Sequence, residues 1–135
     1  MNKLIKVFLF FIVCLTLKLK IAAQTFNLNA LVPKENFENI YSEKIAEDSL
    51  SSSFIIWIKK EVKLHKHLEH SEHVYILEGE GEMQLGEKWI NIKSGDLIFI
   101  PKNTPHKVKT SSTTILKALS IQSPFFDGSD RIVLE

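Results

Sequence analysis

The sequence predicts an all-β fold, a compact antiparallel domain, on three observations. Its apolar runs are short and rich in β-branched and aromatic residues, the composition that suits a pleated, packed surface. Turn-forming residues recur about every eight to twelve positions, the rhythm of a sandwich or barrel. Two of the runs flank Gly86-Glu87-Lys88 as the arms of a hairpin.

Taken in order, the chain opens with a processing signal. Lys3 and Lys6 precede a run over residues 7–17 that only Thr16 interrupts, and Ile21-Ala22-Ala23 then stand before Gln24. This is the pattern of a secretory signal peptide over residues 1–23, cleaved after Ala23, and it predicts a periplasmic or secreted protein. The alternative is an uncleaved membrane anchor. However, a spanning helix needs about 20 apolar residues, and Lys18 and Lys20 close the run too early. Cys14 follows Val13 rather than a small residue and the apolar run continues past it, so lipidation is not expected.

Cleavage would reverse the charge balance. It removes Lys3, Lys6, Lys18 and Lys20 and leaves 13 of the 17 basic residues against all 16 acids, a formal net of −3. No stable membrane insertion is expected afterwards, and neither nucleic acid nor an anionic membrane is favoured as a partner. The one cysteine leaves with the signal. Stability must then come from core burial, helped by a metal or a second subunit. A chain of this length makes one domain.

Residues 24–36 lack a clear period and form an N-terminal arm, with a turn at Pro33-Lys34-Glu35-Asn36. The β domain is expected over residues 37–123. Residues 37–46 are a strand anchored by Ile40 and Ile45, or alternatively a helical turn. Residues 54–58, a continuous apolar run, suit a strand buried on both faces. Residues 74–77 are β-rich, Gly79-Glu80-Gly81 makes a turn, and residues 82–85 pair with 89–92. Strands at 97–100, 106–110 and 114–121 follow, and residues 124–135 are left as a C-terminal tail. Trp57, Trp89 and Phe99 are assigned to the core, and Lys102 and Lys107 to solvent.

Four of the five histidines fall between His65 and His73. An extended segment sends alternate side chains to one face, so His65 and His67 point the same way and can share an ion. Glu72 adds a carboxylate if the chain bends back. The fifth histidine, His106, opens a strand after a turn bounded by Pro101 and Pro105. A solvated, histidine-rich edge with incidental metal affinity is the alternative; it leaves His106 and the flanking glycines unexplained. His70 and His73 are expected at the surface or behind the ligands, His73 having the wrong parity.

These two stretches resemble the paired motifs of the cupin superfamily, G-x5-H-x-H-x4-E-x6-G and G-x5-P-x-G-x2-H-x3-N. The first is met by His65, His67, Glu72 and Gly79, the second by Gly95, Pro101 and His106. Lys59, Asn103 and Thr110 depart from it, and none of these is a ligand position. Asn tolerates a left-handed turn, so Asn103 can replace the glycine there. The resemblance implies a jelly-roll β-barrel and a divalent transition metal, Fe, Mn, Ni, Cu or Zn, held by His65, His67, Glu72 and His106. Strand parity puts Val74, Ile76, Val108 and Thr110 on the ligand side, around an apolar cavity for a small-molecule ligand or substrate. The superfamily includes dioxygenases, isomerases, lyases, decarboxylases and non-catalytic binders, so the reaction stays open. A metal-dependent enzyme, a binding module and a structural barrel are all consistent. Small cupins commonly pair through strand edges, and a homodimer is expected.

Overall fold

The computed structural model describes residues 23–134, so the expected signal segment, but for Ala23, lies outside the described residues. Among them are ten strands: β1 (Ile40–Glu47), β2 (Ser52–Ile58), β3 (Glu61–Lys66), β4 (Ser71–Glu78), β5 (Glu80–Leu85), β6 (Lys88–Lys93), β7 (Leu97–Ile100), β8 (His106–Thr110), β9 (Leu116–Ser123) and β10 (Ile132–Val133). They form two antiparallel five-stranded sheets, ordered β1-β2-β9-β4-β7 and β10-β3-β8-β5-β6. The sheets face each other as a jelly-roll barrel.

The alternation of side chains along each strand builds the interior. Ile58, Val74, Ile76, Met83, Ile92, Ile98, Ile100, Val108, Leu116 and Ala118 form one buried cluster. β2 is covered on both sides, as its apolar run predicts. Phe54, Ile56 and Ile58 face a cavity. On the other face, Ile55 and Trp57 are also buried.

Part of that outer cover is the N-terminal arm, which contains a single 3-10 turn at Leu28–Ala30. Lys117, buried on β9, donates from Nζ to the carbonyls of Leu28 and Leu31, each at 2.8 Å, and to Glu78 at 3.2 Å. A buried ammonium needs such acceptors, so Lys117 ties the arm to the sheet.

Several expectations change. The turn at Gly79-Glu80-Gly81 is a single residue, Gly79, and Gly81 lies within β5. A Cβ on Gly81 would stand 2.5 Å from the Lys109 carbonyl oxygen, which is why glycine is needed where β5 meets β8. The hairpin turn is two residues, with Lys88 already paired to Leu85. Trp89 and Phe99 are not core residues. They face outward, 49% and 54% exposed, because strand parity puts them opposite the buried Ile92, Ile98 and Ile100. Trp57 is buried, as expected. Thr110 does not line the cavity; its hydroxyl donates to the Ile58 carbonyl at 3.1 Å.

Candidate metal centre

Three of the histidines come together inside the barrel. His65 is on β3, His67 follows that strand, and His106 opens β8 directly opposite His65. All three are buried, and one ring nitrogen from each lies within 4.8 Å of the others. The turn before β8 sets this register. Asn103 has φ +60°, the left-handed conformation its residue type tolerates, and its N–H donates to the His67 carbonyl at 2.6 Å.

Each ring is oriented by its far nitrogen. Nδ1 of His65 lies 2.8 Å from the Lys63 carbonyl, Nδ1 of His106 lies 2.9 Å from that of Thr104, and Nδ1 of His67 meets that of Asp130. A carbonyl oxygen can only accept, so each Nδ1 carries the hydrogen and each Nε2 keeps its lone pair. The Nε2 atoms of His67 and His106 are buried without a hydrogen-bond partner.

Glu72, on β4 of the opposite sheet, faces two of these rings, though the group mutually within 4.8 Å is the three histidines alone. Its Oε1 accepts from the Ser120 hydroxyl, while Oε2 lies 3.4 Å from His106 Nε2 and 3.8 Å from His67 Nε2. A buried carboxylate aimed at bare imidazole nitrogens juxtaposes acceptors, an arrangement that needs a shared cation or proton between them. The donor set therefore fits a divalent ion of borderline softness.

The electrostatics favour the metal-binding protonation states. Burial, reinforced by His106, depresses His65 to about 4. Burial also lowers His67. For Glu72, burial resists ionisation, but His106, Ser120 and His67 outweigh it and hold the carboxyl below its ordinary range. Neutral imidazoles and an ionised carboxylate are what ligation requires.

His70 has a different place from its neighbours. It is buried, 8% exposed, and both ring nitrogens are engaged: Nδ1 with Asp130 Oδ2 at 2.6 Å and Nε2 with the Phe125 carbonyl at 2.8 Å. It sits behind the three clustered histidines and is not a surface residue. Asp130 also accepts from the backbone N–H groups of Leu68 and Glu69, at 2.9 and 2.8 Å. His73 points outward against Phe99, with ring centroids 4.8 Å apart.

The segment expected as a tail thus helps build the site. Phe126 is buried, with its ring centroid 5.2 Å from that of His67 and 5.0 Å from that of His70, and β10 pairs with β3 across His65. Ser120, Gln122, Phe126, Asp130 and Arg131 were not picked out from the sequence. An Asp two residues before a short apolar pair was the one available hint of a final strand.

The centre opens into a cavity of about 300 Å³ with apolar walls that include Val74, Ile76 and Val108, as parity predicts. The Cupin domain family profile matches residues 54–122, which contain His65, His67, Glu72 and His106. The chain belongs to the cupin family. It is 38% identical over 97 residues to an uncharacterised protein of Methanocaldococcus jannaschii, covering 72% of this chain and 75% of that one. It also resembles a solved RmlC-like cupin of Desulfovibrio desulfuricans, at 26% identity and TM-score 0.66 over 78% of this chain and 100% of that one. A double-stranded β-helix protein of Klebsiella pneumoniae shares the fold at 17% identity and TM-score 0.72, over 84% and 99% of the two chains. Among the described residues of this cupin, no helix is long and apolar enough to cross a membrane.

Proposed function

We propose that this cupin is an exported protein that holds a divalent transition metal through His65, His67, His106 and Glu72 and binds or transforms a small organic molecule in the barrel. The observation that carries the reading is the pair of buried, unpartnered Nε2 atoms facing the Glu72 carboxylate beside an apolar cavity. When bound, such an ion supplies Lewis acidity toward an oxygen of the ligand. The chain's own contribution is orientation and dryness. Backbone carbonyls fix the three imidazoles, Ser120 fixes Glu72, and Ile58, Val74, Ile76, Val108 and Leu116 keep water from the ligand's flank.

Elemental analysis of untagged protein tests this reading. About one Fe, Mn, Ni, Cu or Zn per chain is expected, lost when His65, His67, Glu72 and His106 are all changed to Ala. No metal in either protein would overturn it.

One observation favours a non-catalytic binding module as the second reading. Apart from the four proposed ligands, the cavity lining holds Ser42, Gln122 and Arg131 as its polar side chains, and none is an ordinary proton-transfer group at neutral pH. Turnover of any compound in a broad panel by metal-loaded protein would exclude it.

Export rests on residues 1–23, and intact-mass analysis of the mature protein tests it by showing whether the chain begins at Gln24. The proposal includes a homodimer. Tyr75, Leu97, Phe99 and Ile121 are exposed on the outer face beside the edge strand β7, an apolar area that a second copy would cover. A monomer mass in solution scattering would overturn the dimer.

A further inference from the structure

The cavity is polarised along its strands. In the register of the first sheet, Glu72 pairs with Gln122. Two residues further on, Val74 pairs with Ser120, and next comes the row Ile76, Ala118 and Ile56. The second sheet repeats the order, with His65 beside His106 and then Val62, Val108 and Met83 in one row. Charged lining is thus confined to the end where the histidines stand, and the other end is apolar but for Ser42, which pairs with Ile56. From Glu72 to Ile76 is about 13 Å along a strand.

Arg131 stands at the polar end. It is exposed yet lines the cavity, so it sits at the mouth, two residues from Val133, which pairs with His65. Among the described residues it is the one Lys or Arg side chain in the lining. The adjacent acid, Asp130, is turned away and committed to Leu68, Glu69 and His70. The lining's single carboxylate, Glu72, is engaged by Ser120 and faces two histidines. Gln122 Oε1 is also buried at this end without a partner.

From this arrangement we propose that the cavity takes a small amphipathic monocarboxylate, its carboxylate beside Arg131 at the mouth and its aliphatic chain along Val74, Ile76, Val62 and Val108. The proposal deepens the small-molecule reading above and rests on it. A guanidinium is the natural partner of a carboxylate, offering two parallel N–H donors. The volume limits the size. At about 30 Å³ per water-sized group, about 300 Å³ holds roughly ten non-hydrogen atoms. A chain of about six to eight carbons meets that limit, and the apolar rows give it a surface to bury.

Isothermal titration of the metal-loaded mature protein with hexanoate, hexan-1-ol and hexylamine tests the proposal, repeated on Arg131→Gln and Arg131→Lys. Hexanoate should bind at least tenfold more tightly than the alcohol or the amine. R131Q should lose at least tenfold for hexanoate and nothing for the alcohol, with R131K between. Equal binding of the acid and the alcohol, an unchanged R131Q, or no binding of hexanoate would overturn it. If R131Q does not fold, R131K and the three head groups compared on the metal-free protein decide the matter, since a bound ion would itself favour a carboxylate. The metal reading fails separately. A chain that takes up no metal yet prefers hexanoate through Arg131 keeps this proposal and loses that one; a chain that takes up metal and shows no preference does the reverse.

Discussion

Two histidine environments lie side by side in this barrel, and the difference between them is one hydrogen bond per ring. His65, His67 and His106 each give Nδ1–H to a backbone carbonyl and keep Nε2 for the cavity. His70 has a carboxylate on one nitrogen and a carbonyl on the other. Both partners accept, so His70 serves them best with both nitrogens protonated, and its affinity for the proton is raised despite burial, by Asp130 and the Phe125 carbonyl. The first environment suits rings proposed to hold an ion. The second is a clasp that holds the 67–70 loop to the C-terminal segment. Which nitrogen is left free decides the role, and spacing in the sequence does not reveal it.

The comparison is broken most directly at the ligands. Changing His106 to Ala should lower metal affinity by more than the roughly 10–100-fold typical of outer partners. Changing His70 to Ala should stay within that range. Competition against a chromophoric chelator measures both, and equal losses would erase the distinction between ligand and clasp.

The next largest effect belongs to Asp130. Its carboxylate serves two backbone N–H groups and the His70 ring, so Asp130→Ala strands a buried histidine and frees the 67–70 loop. A loss of about 3 kcal/mol in urea denaturation is expected. Because the Asp130 carbonyl also orients His67, metal affinity should fall as well. A change below about 1 kcal/mol would show that the C-terminal segment is an appendage rather than part of the barrel.

Acid separates the two environments by sign. In the metal-free protein His65 is depressed from 6.5 to about 4. The unfolded chain therefore takes up a proton that the folded one refuses, and stability falls as pH drops from 6.5 towards 4. His65 contributes a loss on the order of 3 kcal/mol across that window, and His67 acts in the same direction. Glu72, also depressed, adds to the loss below its ordinary 4.5. His70 is raised, so its contribution is complete below 6.5 and disappears as pH rises through its folded value. Urea midpoints measured from pH 4 to 8 on metal-free protein should rise with pH at the acid end. The His70→Gln variant should remove a decline at the alkaline end. A flat profile in both would contradict the burial that lowers His65 and His67 and the acceptors that raise His70.

What the sequence disclosed follows from what is local in it. Strand parity is a two-residue rule, and it placed Val74, Ile76 and Val108 inward and His73 outward, failing only at Thr110, which turns to the Ile58 carbonyl. The left-handed turn at Asn103 is likewise a property of one residue and its neighbours. Trp89 and Phe99 were misplaced because residue type was read without parity, although the same alternation that buries Ile98 and Ile100 exposes Phe99. Asp130 and Arg131 were invisible for a different reason. They meet the 65–70 segment only through the pairing of β10 with β3, across some sixty residues of chain, and no local pattern marks that closure.

The smallest expected effect is the sharpest check on facing. His73 is one residue from Glu72, yet its ring lies outside the barrel on Phe99, whereas His65 and His67 lie inside. His73→Ala should leave metal content unchanged and alter stability by no more than about 0.5 kcal/mol, the usual range for an exposed position. If the outer face of β4 and β7 meets a second copy, the same variant should weaken self-association, seen as a higher dissociation constant in sedimentation at matched metal content. A drop in metal per chain would mean that a histidine facing away from the cavity still serves the ion, and that proximity within the 65–73 stretch, rather than the inward face of the barrel, governs uptake.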